Sequence, residues 1–191
     1  GEVAGNFDLV DMLFARRDEK PMISLVSEHA YSAAYSIASA TGRISMPRTG
    51  GVGSIGVLTA WVGLSKAMEK QGIEVKLIHA GKHKIDGNPY EDLPKEVQAR
   101  IQARIDALYD IFTATVARNL GLDEQVIRDT EALTYGADDA VRIGLAHEIR
   151  AFDDAMAAFS SAPNTNAGEL IVSKYTEEEL QAQVTSARAE G

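Results

Sequence analysis

Two residues of this chain have the types and setting of a nucleophile and its base. Ser32 stands in the run His29-Ala30-Tyr31-Ser32-Ala33-Ala34-Tyr35-Ser36, where an apolar segment gives way to small, helix-compatible residues. A serine there would occupy a tight turn from strand to helix. Lys84 follows in Ala80-Gly81-Lys82-His83-Lys84-Ile85-Asp86-Gly87, a glycine-flanked loop. A serine hydroxyl is a weak nucleophile at neutral pH and needs a base within hydrogen-bond reach. Lysine can be that base only when neutral, so its pKa must fall from about 10.4, through burial or a neighbouring cation. Leu77, Ile78 and Ile85 offer apolar surroundings. Lys82 would push the pKa down and Asp86 up, and the sequence leaves that competition open. Acyl transfer also needs donors aimed at the developing oxyanion, and a backbone amide at a helix start, that of Ala33, is free to donate.

Each feature alone has a plainer reading. A serine at a helix start is usually a cap, and a loop lysine is usually solvated. Gly50-Gly51-Val52-Gly53-Ser54 could be a flexible turn before a strand. It lacks the Gly-Lys-Ser/Thr ending of a phosphate loop, which excludes nucleotide binding by that route. His79 and His83 straddle a strand end and would not share a helix face, so no metal site is expected. His29, with Asp86 behind it, is a rival base, but a histidine so near the turn suits a pocket wall better. Trp61 reads as a core or interface residue.

The elements that must position these groups alternate. The apolar spacing predicts a helix over about 6–17, a buried strand over 21–26, a helix over 32–41 and a short strand or extended turn over 42–47. A strand over 54–62, a helix over 64–71 stopped by Gly72 and a strand over 73–80 follow. After the loop 81–92, Val97, Ile101, Ile105, Leu108, Phe112, Val116 and Leu120 recur every three or four residues. They mark a long helix that Asp92 would cap and Gly121 would end. Short helices over 123–129 and 135–145 and an edge strand at 147–149 complete the pattern. Such alternation favours an α/β fold. The chain opens straight into a helix and stops while another is building, so it reads as an internal segment of a longer protein. Residues 160–168, rich in Ser, Asn, Pro and Gly, read as a linker, and 176–191 as an acidic, partial helix.

The 191 residues carry no Cys and a net charge of -9. Disulfides and thiolate metal sites are excluded. An acidic chain without a basic cluster is a poor nucleic-acid partner. No apolar run approaches the roughly 20 residues that span a bilayer, and no signal peptide is visible.

Taken together and in order, Ser32-Ala33-Ala34-Tyr35, Thr49-Gly50-Gly51-Val52-Gly53-Ser54-Ile55-Gly56-Val57 and Gly81-Lys82-His83-Lys84 resemble the Ser/Lys peptidases of the signal peptide peptidase A (SppA) family. There a Ser-Gly-Gly-Tyr-like segment, Thr-Gly-Ser-Ile-Gly-Val and Gly-x-x-Lys occur in that sequence. The resemblance covers about 1–150 and departs at Ala33-Ala34, where glycines are common. His83-Lys84-Ile85-Asp86-Gly87-Asn88-Pro89-Tyr90, Gly5-Asn6-Phe7-Asp8 and the C-terminal extension resemble the phage branch, the head maturation (prohead) proteases. The resemblance implies a ClpP/crotonase-like fold and a serine endopeptidase that needs no cofactor. Ser32 is then the nucleophile, Lys84 the general base and Ser54 the hydroxyl that orients the lysine. The backbone amides of Ala33 and Gly1 form the oxyanion hole, Gly1 being the last residue of a Gly-rich turn. Ile55, Gly56, Val57 and Leu58 line a groove where an extended peptide adds as a strand. Residues 1–159 form the protease domain, with strands expected ahead of Gly1, and 160–191 begin a scaffold-like extension.

The implied substrates are scaffold and capsid precursors, including the chain's own tail. The implied setting is the host cytoplasm or procapsid interior, and the implied assembly a homo-oligomer. A host signal peptide peptidase would instead work at the membrane and carry an anchor upstream of Gly1. A crotonase-type acyl-CoA enzyme would share the architecture but use acidic residues and an adenine pocket. A non-enzymatic assembly or scaffold protein would have no use for Ser32 and Lys84.

Overall fold

The computed structural model describes residues 1–162 together with Ala182 and Thr185. Apart from Ala182 and Thr185, the expected acidic helix over 176–191 lies outside the described residues, as does most of the linker. The chain divides into two compact units: Gly1–Gly56 with the chain from Tyr109 onward, and Val57–Leu108.

In the larger unit, helix α1 (Asn6–Arg16) leads into strands β1 (Ser24–Leu25) and β2 (His29–Tyr31), then helix α2 (Ala33–Ser39), β3 (Ile44–Met46) and β4 (Gly51–Gly53). From the C-terminal half of helix α4 (Lys95–Leu120) the chain continues through α5 (Glu124–Asp129), β5 (Thr134–Gly136), α6 (Ala137–Arg142), β6 (Glu148–Ile149) and α7 (Phe152–Ser161). Two three-stranded sheets result. One is all parallel, in the order β1-β3-β6; the other places β4 between parallel β2 and antiparallel β5. The α/β class read from the alternation is therefore the class observed.

The core is built where the sheets meet their helices. Ile44, Met46, Val52, Ile55, Ile127, Ile143 and Leu145 are fully buried, each removing roughly 1.5–3 kcal/mol worth of apolar side chain from water. Helix α2 carries mostly Ala and Ser, and small residues let neighbouring backbones come close. Asn6 Nδ2 of α1 donates to Ser36 Oγ at 2.7 Å, and Asn119 Nδ2 of α4 donates to Ser39 Oγ at 2.9 Å. Phe7 and Phe112 meet edge to face at 5.9 Å between ring centroids. Helix α4 ends as its sequence demands: Gly121 takes φ 69° and the Leu122 amide reaches back to Ala117 O at 3.1 Å.

The smaller unit holds helix α3 (Ser65–Lys70), the loop around Lys84 and the first half of α4. The structure corrects three expectations. Residues 73–80 alternate like a strand, but among the described residues no strand pairs with them, and Ile78 is fully exposed. A strand exists only where a partner accepts its ladder. The strand expected over 54–62 lies earlier, at Gly51–Gly53, because the chain turns sharply at Ser54. Asp92 does not cap α4: the first helical bond runs from Gln98 N–H to Pro94 O at 2.9 Å, and Asp92 instead lies 3.5 Å from Ser65 Oγ. In the larger unit, the start of the helix expected over 135–145 is taken by β5, whose Tyr135 pairs with Val52.

Candidate active site

Strands β2 and β4 run parallel in the register His29↔Gly51, Ala30↔Val52, Tyr31↔Gly53. The next residue on each strand is a serine. Ser32 N–H donates to Gly53 O at 2.9 Å, which extends the ladder one step beyond the strand ends. Ser32 and Ser54 therefore stand side by side at the carboxyl ends of neighbouring parallel strands, the place where open α/β sheets put their sites.

Both serines have left-handed φ, 55° at Ser32 and 54° at Ser54. They are two of the four non-glycine residues with positive φ among the described residues. At Ser32 ψ is -124°, outside even the small left-handed helical well open to L-residues. An ordinary helix-capping serine has extended backbone and accepts an amide on its side chain. Ser32 has neither, since its side chain makes no capping bond. Its carbonyl accepts from Tyr35 N–H at 2.8 Å and Ser36 N–H at 3.0 Å. The hydroxyl is thus left over from the fold, on a turn that costs about 1–3 kcal/mol to hold.

Helix α2 holds the turn from behind. The Tyr35 hydroxyl, buried, donates to Leu145 O at 2.8 Å, and burial raises its pKa well above the usual phenol range. Ser36 Oγ donates to Ala33 O at 2.7 Å while accepting from Asn6, and Ser39 Oγ donates to Ser36 O at 2.7 Å. At the front of α2 the amides of Ala33 and Ala34 have no intrahelical acceptor, by the geometry of a helix start. Gly1 lies against this end. A methyl built on Gly1 would come 2.5 Å from Ala33 Cβ and 3.8 Å from Ala33 N, so only glycine fits. The structure thus brings Gly1, Ser32, Ala33 and Ser54 together in one unit.

Beyond Ser54 the chain bends, with Gly56 N–H donating to Ser54 O at 2.9 Å. Ile55 is fully buried, Gly56 and Val57 half-buried, and Leu58 is 86% exposed. Of these four, Ile55 alone is buried in the core.

Lys84 belongs to the smaller unit and is exposed. Its loop is tied by short-range bonds, with Lys84 N–H to Gly81 O at 3.1 Å and Asn88 N–H to Ile85 O at 3.0 Å. The Trp61 indole N–H donates to Gly87 O and Asn88 O at 3.1 and 3.2 Å, which gives that residue a role in the loop rather than in the core. The Asp86 carboxylate accepts from Arg100 and from His83 Nδ1, the latter at 3.1 Å. The Arg100 hydrogen bond, helped by His83, holds the Asp86 carboxyl below its ordinary pKa. The carboxylate that could compete for Lys84 is therefore engaged elsewhere. Among the described residues no three His, Asp or Glu side chains converge as metal ligands, and no helix is long and apolar enough to cross a membrane.

One part of the site escapes the sequence reading: strand β2, hidden because only three residues pair.

Comparison with known proteins follows the same region. The model of Peptidase family S49 matches residues 15–165. Capsid assembly protease C of Escherichia phage lambda is 39% identical over 189 residues, which is 99% of this chain and 43% of that protein. Head-tail preconnector protein GP5 of Enterobacteria phage P21 is 36% identical over 183 residues, 96% of this chain and 36% of that protein. The chain therefore spans less than half the length of these relatives. The crystal structure of an enoyl-CoA hydratase from Shewanella pealeana overlays with a TM-score of 0.43 at 14% identity, covering 98% of this chain and 51% of that one.

Proposed function

Since the chain belongs to peptidase family S49, we propose that it is the catalytic part of a serine endopeptidase that matures phage capsids. The observation that carries this reading is the backbone of Ser32: a strained, non-capping serine between a parallel strand and a helix start, with Ser54 beside it.

The chemistry runs through the chain's own groups. A peptide carbonyl lies against Ser32 with its oxygen toward the amides of Ala33 and Gly1. Ser32 Oγ attacks the carbonyl carbon as Lys84 Nζ, oriented by Ser54, takes the hydroxyl proton. The amides hold the oxyanion, in a site where such donors are worth most. Lys84 returns the proton to the leaving amine as the C–N bond breaks, and an ester on Ser32 remains. Water then attacks that ester, giving its proton to Lys84, and Ser32 leaves with the proton returned. Segment Ile55–Leu58 supplies extended backbone for the peptide to pair with. Family membership supports a ClpP/crotonase-like scaffold and a 1–159 protease domain.

The relatives' names, a capsid assembly protease and a head-tail preconnector protein, support scaffold and capsid precursors as substrates, with the chain's own extension among them. The same reading puts the work in the host cytoplasm or the procapsid interior, by a homo-oligomer. The test is mass spectrometry of the full-length precursor, wild type beside Ser32→Ala and Lys84→Ala. Trimming within 160–190 in wild type alone supports the dyad and self-processing together. Equal trimming of all three, or of none, removes the reading.

A further inference from the structure

Between α5 and β5 the chain turns through two consecutive left-handed residues, Glu131 at φ 45° and Ala132 at φ 61°. Neither residue type goes there readily. The turn is closed from within: Glu131 N–H donates to Arg128 O at 3.0 Å and Leu133 N–H to Thr130 O at 2.8 Å. Thr130 Oγ1 donates to Ile127 O at 2.7 Å, which ties the start of the turn to α5. The same turn faces the segment 53–56. Leu133 O accepts the Ser54 amide at 2.8 Å. A methyl on Gly53 would lie 2.6 Å from Leu133 O, and one on Gly56 would lie 2.6 Å from Ala132 Cβ. Two strained backbones therefore abut, Ser54 on one side and Glu131-Ala132 on the other. Strain of this kind persists only where the surroundings over-determine it, and here the Ser54–Leu133 bond and the tight fit of Gly56 against Ala132 tie the two turns together.

We propose that Ala132 and Leu133 are positioning residues for peptide cleavage: the 131–133 turn sets where Ser54 and Gly56 stand beside Ser32. This rests on the protease reading, in which Ser54 orients the lysine and Gly56 lies along the bound peptide. Leu133 acts through its carbonyl, so no side-chain change there removes the bond. Ala132 acts through its methyl, which fits only because residue 56 has none.

That complementarity can be swapped. Gly56→Ala, Ala132→Gly and the double variant are made in the full-length precursor, and self-processing is followed across pH beside wild type and Ser32→Ala. In Gly56→Ala the added methyl displaces the 54–56 segment, and processing slows at least about tenfold, as misplacement by a fraction of an ångström does. Adding Ala132→Gly removes the clash and restores processing to within about threefold of Ala132→Gly alone. The acid limb of the pH–rate profile, which reports the essential base, moves in Gly56→Ala and returns in the double variant. A purely structural contact would shift the melting midpoint and leave that limb in place. The proposal is overturned if Gly56→Ala processes like wild type, if the double variant stays as slow as the single one, or if the limb does not move. A wild-type precursor left uncut, or a Ser32→Ala precursor cut like wild type, removes the protease reading and this inference with it. Processing that needs Ser32 but ignores the swap removes this inference alone.

Discussion

Replacing Ser32 by glycine should stabilise the protein relative to replacing it by alanine, although both should abolish the proposed cleavage. The reason is the backbone. At φ 55° and ψ -124° a residue with a Cβ is strained by about 1–3 kcal/mol, whereas glycine adopts this conformation freely. Ser32→Ala removes the hydroxyl and keeps the strain. Ser32→Gly removes both, at a cost of about 0.5–1 kcal/mol from the greater freedom of the unfolded chain. The difference leaves about 1 kcal/mol in favour of Ser32→Gly. In a chain of this size that corresponds to about 2–4 °C in melting midpoint. The side chain makes no capping bond, so its loss adds little to either variant and the comparison isolates the turn. Urea titration and thermal melts of the two variants, followed by circular dichroism, give the number directly. Should Ser32→Ala melt at or above Ser32→Gly, the turn is not strained and the argument that the fold presents Ser32 at an energetic cost fails.

Two further outcomes follow from buried and half-buried groups. Tyr35→Phe takes away the hydroxyl that donates to Leu145 O at 2.8 Å and leaves that carbonyl without its partner. A loss of about 1–3 kcal/mol is expected, read as a lower urea midpoint at unchanged slope; a midpoint within error of wild type would show that water replaces the phenol. His147 is half-buried, and desolvation, with Arg43 adding, depresses its pKa below the ordinary value of about 6.5. Its Nδ1 accepts the Ile44 amide at 3.0 Å, which only the neutral ring can do. Below about pH 6.5 the unfolded chain takes up a proton that the folded one refuses. Stability should therefore be fully present above that pH and fall as pH drops, by up to about 1.4 kcal/mol per pH unit. His147→Asn keeps an acceptor near the Nδ1 position and cannot titrate, so its urea midpoint should vary less between pH 6.5 and 5 than that of wild type. An unchanged pH slope would assign the effect to other groups.

The site couples local and long-range structure in a definite order. The small residues of α2 let Asn6 and Asn119 reach it from two other helices. That packing fixes the helix start that carries the Ala33 amide, and the β2–β4 ladder fixes the two serines against each other. Gly51 and Gly53 alternate with Val52 on β4 for a physical reason. Side chains at the glycine positions would meet the Tyr31 ring and Leu133 O, while Val52 is fully buried.

Much of this was legible in the chain itself, because it depends on spacing and residue type. The α/β alternation, the helix of α4 with its apolar repeat, and its end at Gly121 come from periodicity and from the conformational freedom of one glycine. The order of Ser32, the Gly-rich segment with Ser54, and Lys84 marked the family. What no local pattern contained was decided by residues distant in sequence. Residues 73–80 have the alternation of a strand and form none among the described residues, since a ladder needs a partner. The left-handed backbone at Ser32, Ser54, Glu131 and Ala132 runs against local preference in every case. It exists because the β2–β4 register, the Ser54–Leu133 bond and the close approach of Gly56 to Ala132 leave the chain no unstrained path, and only a tertiary structure can impose that.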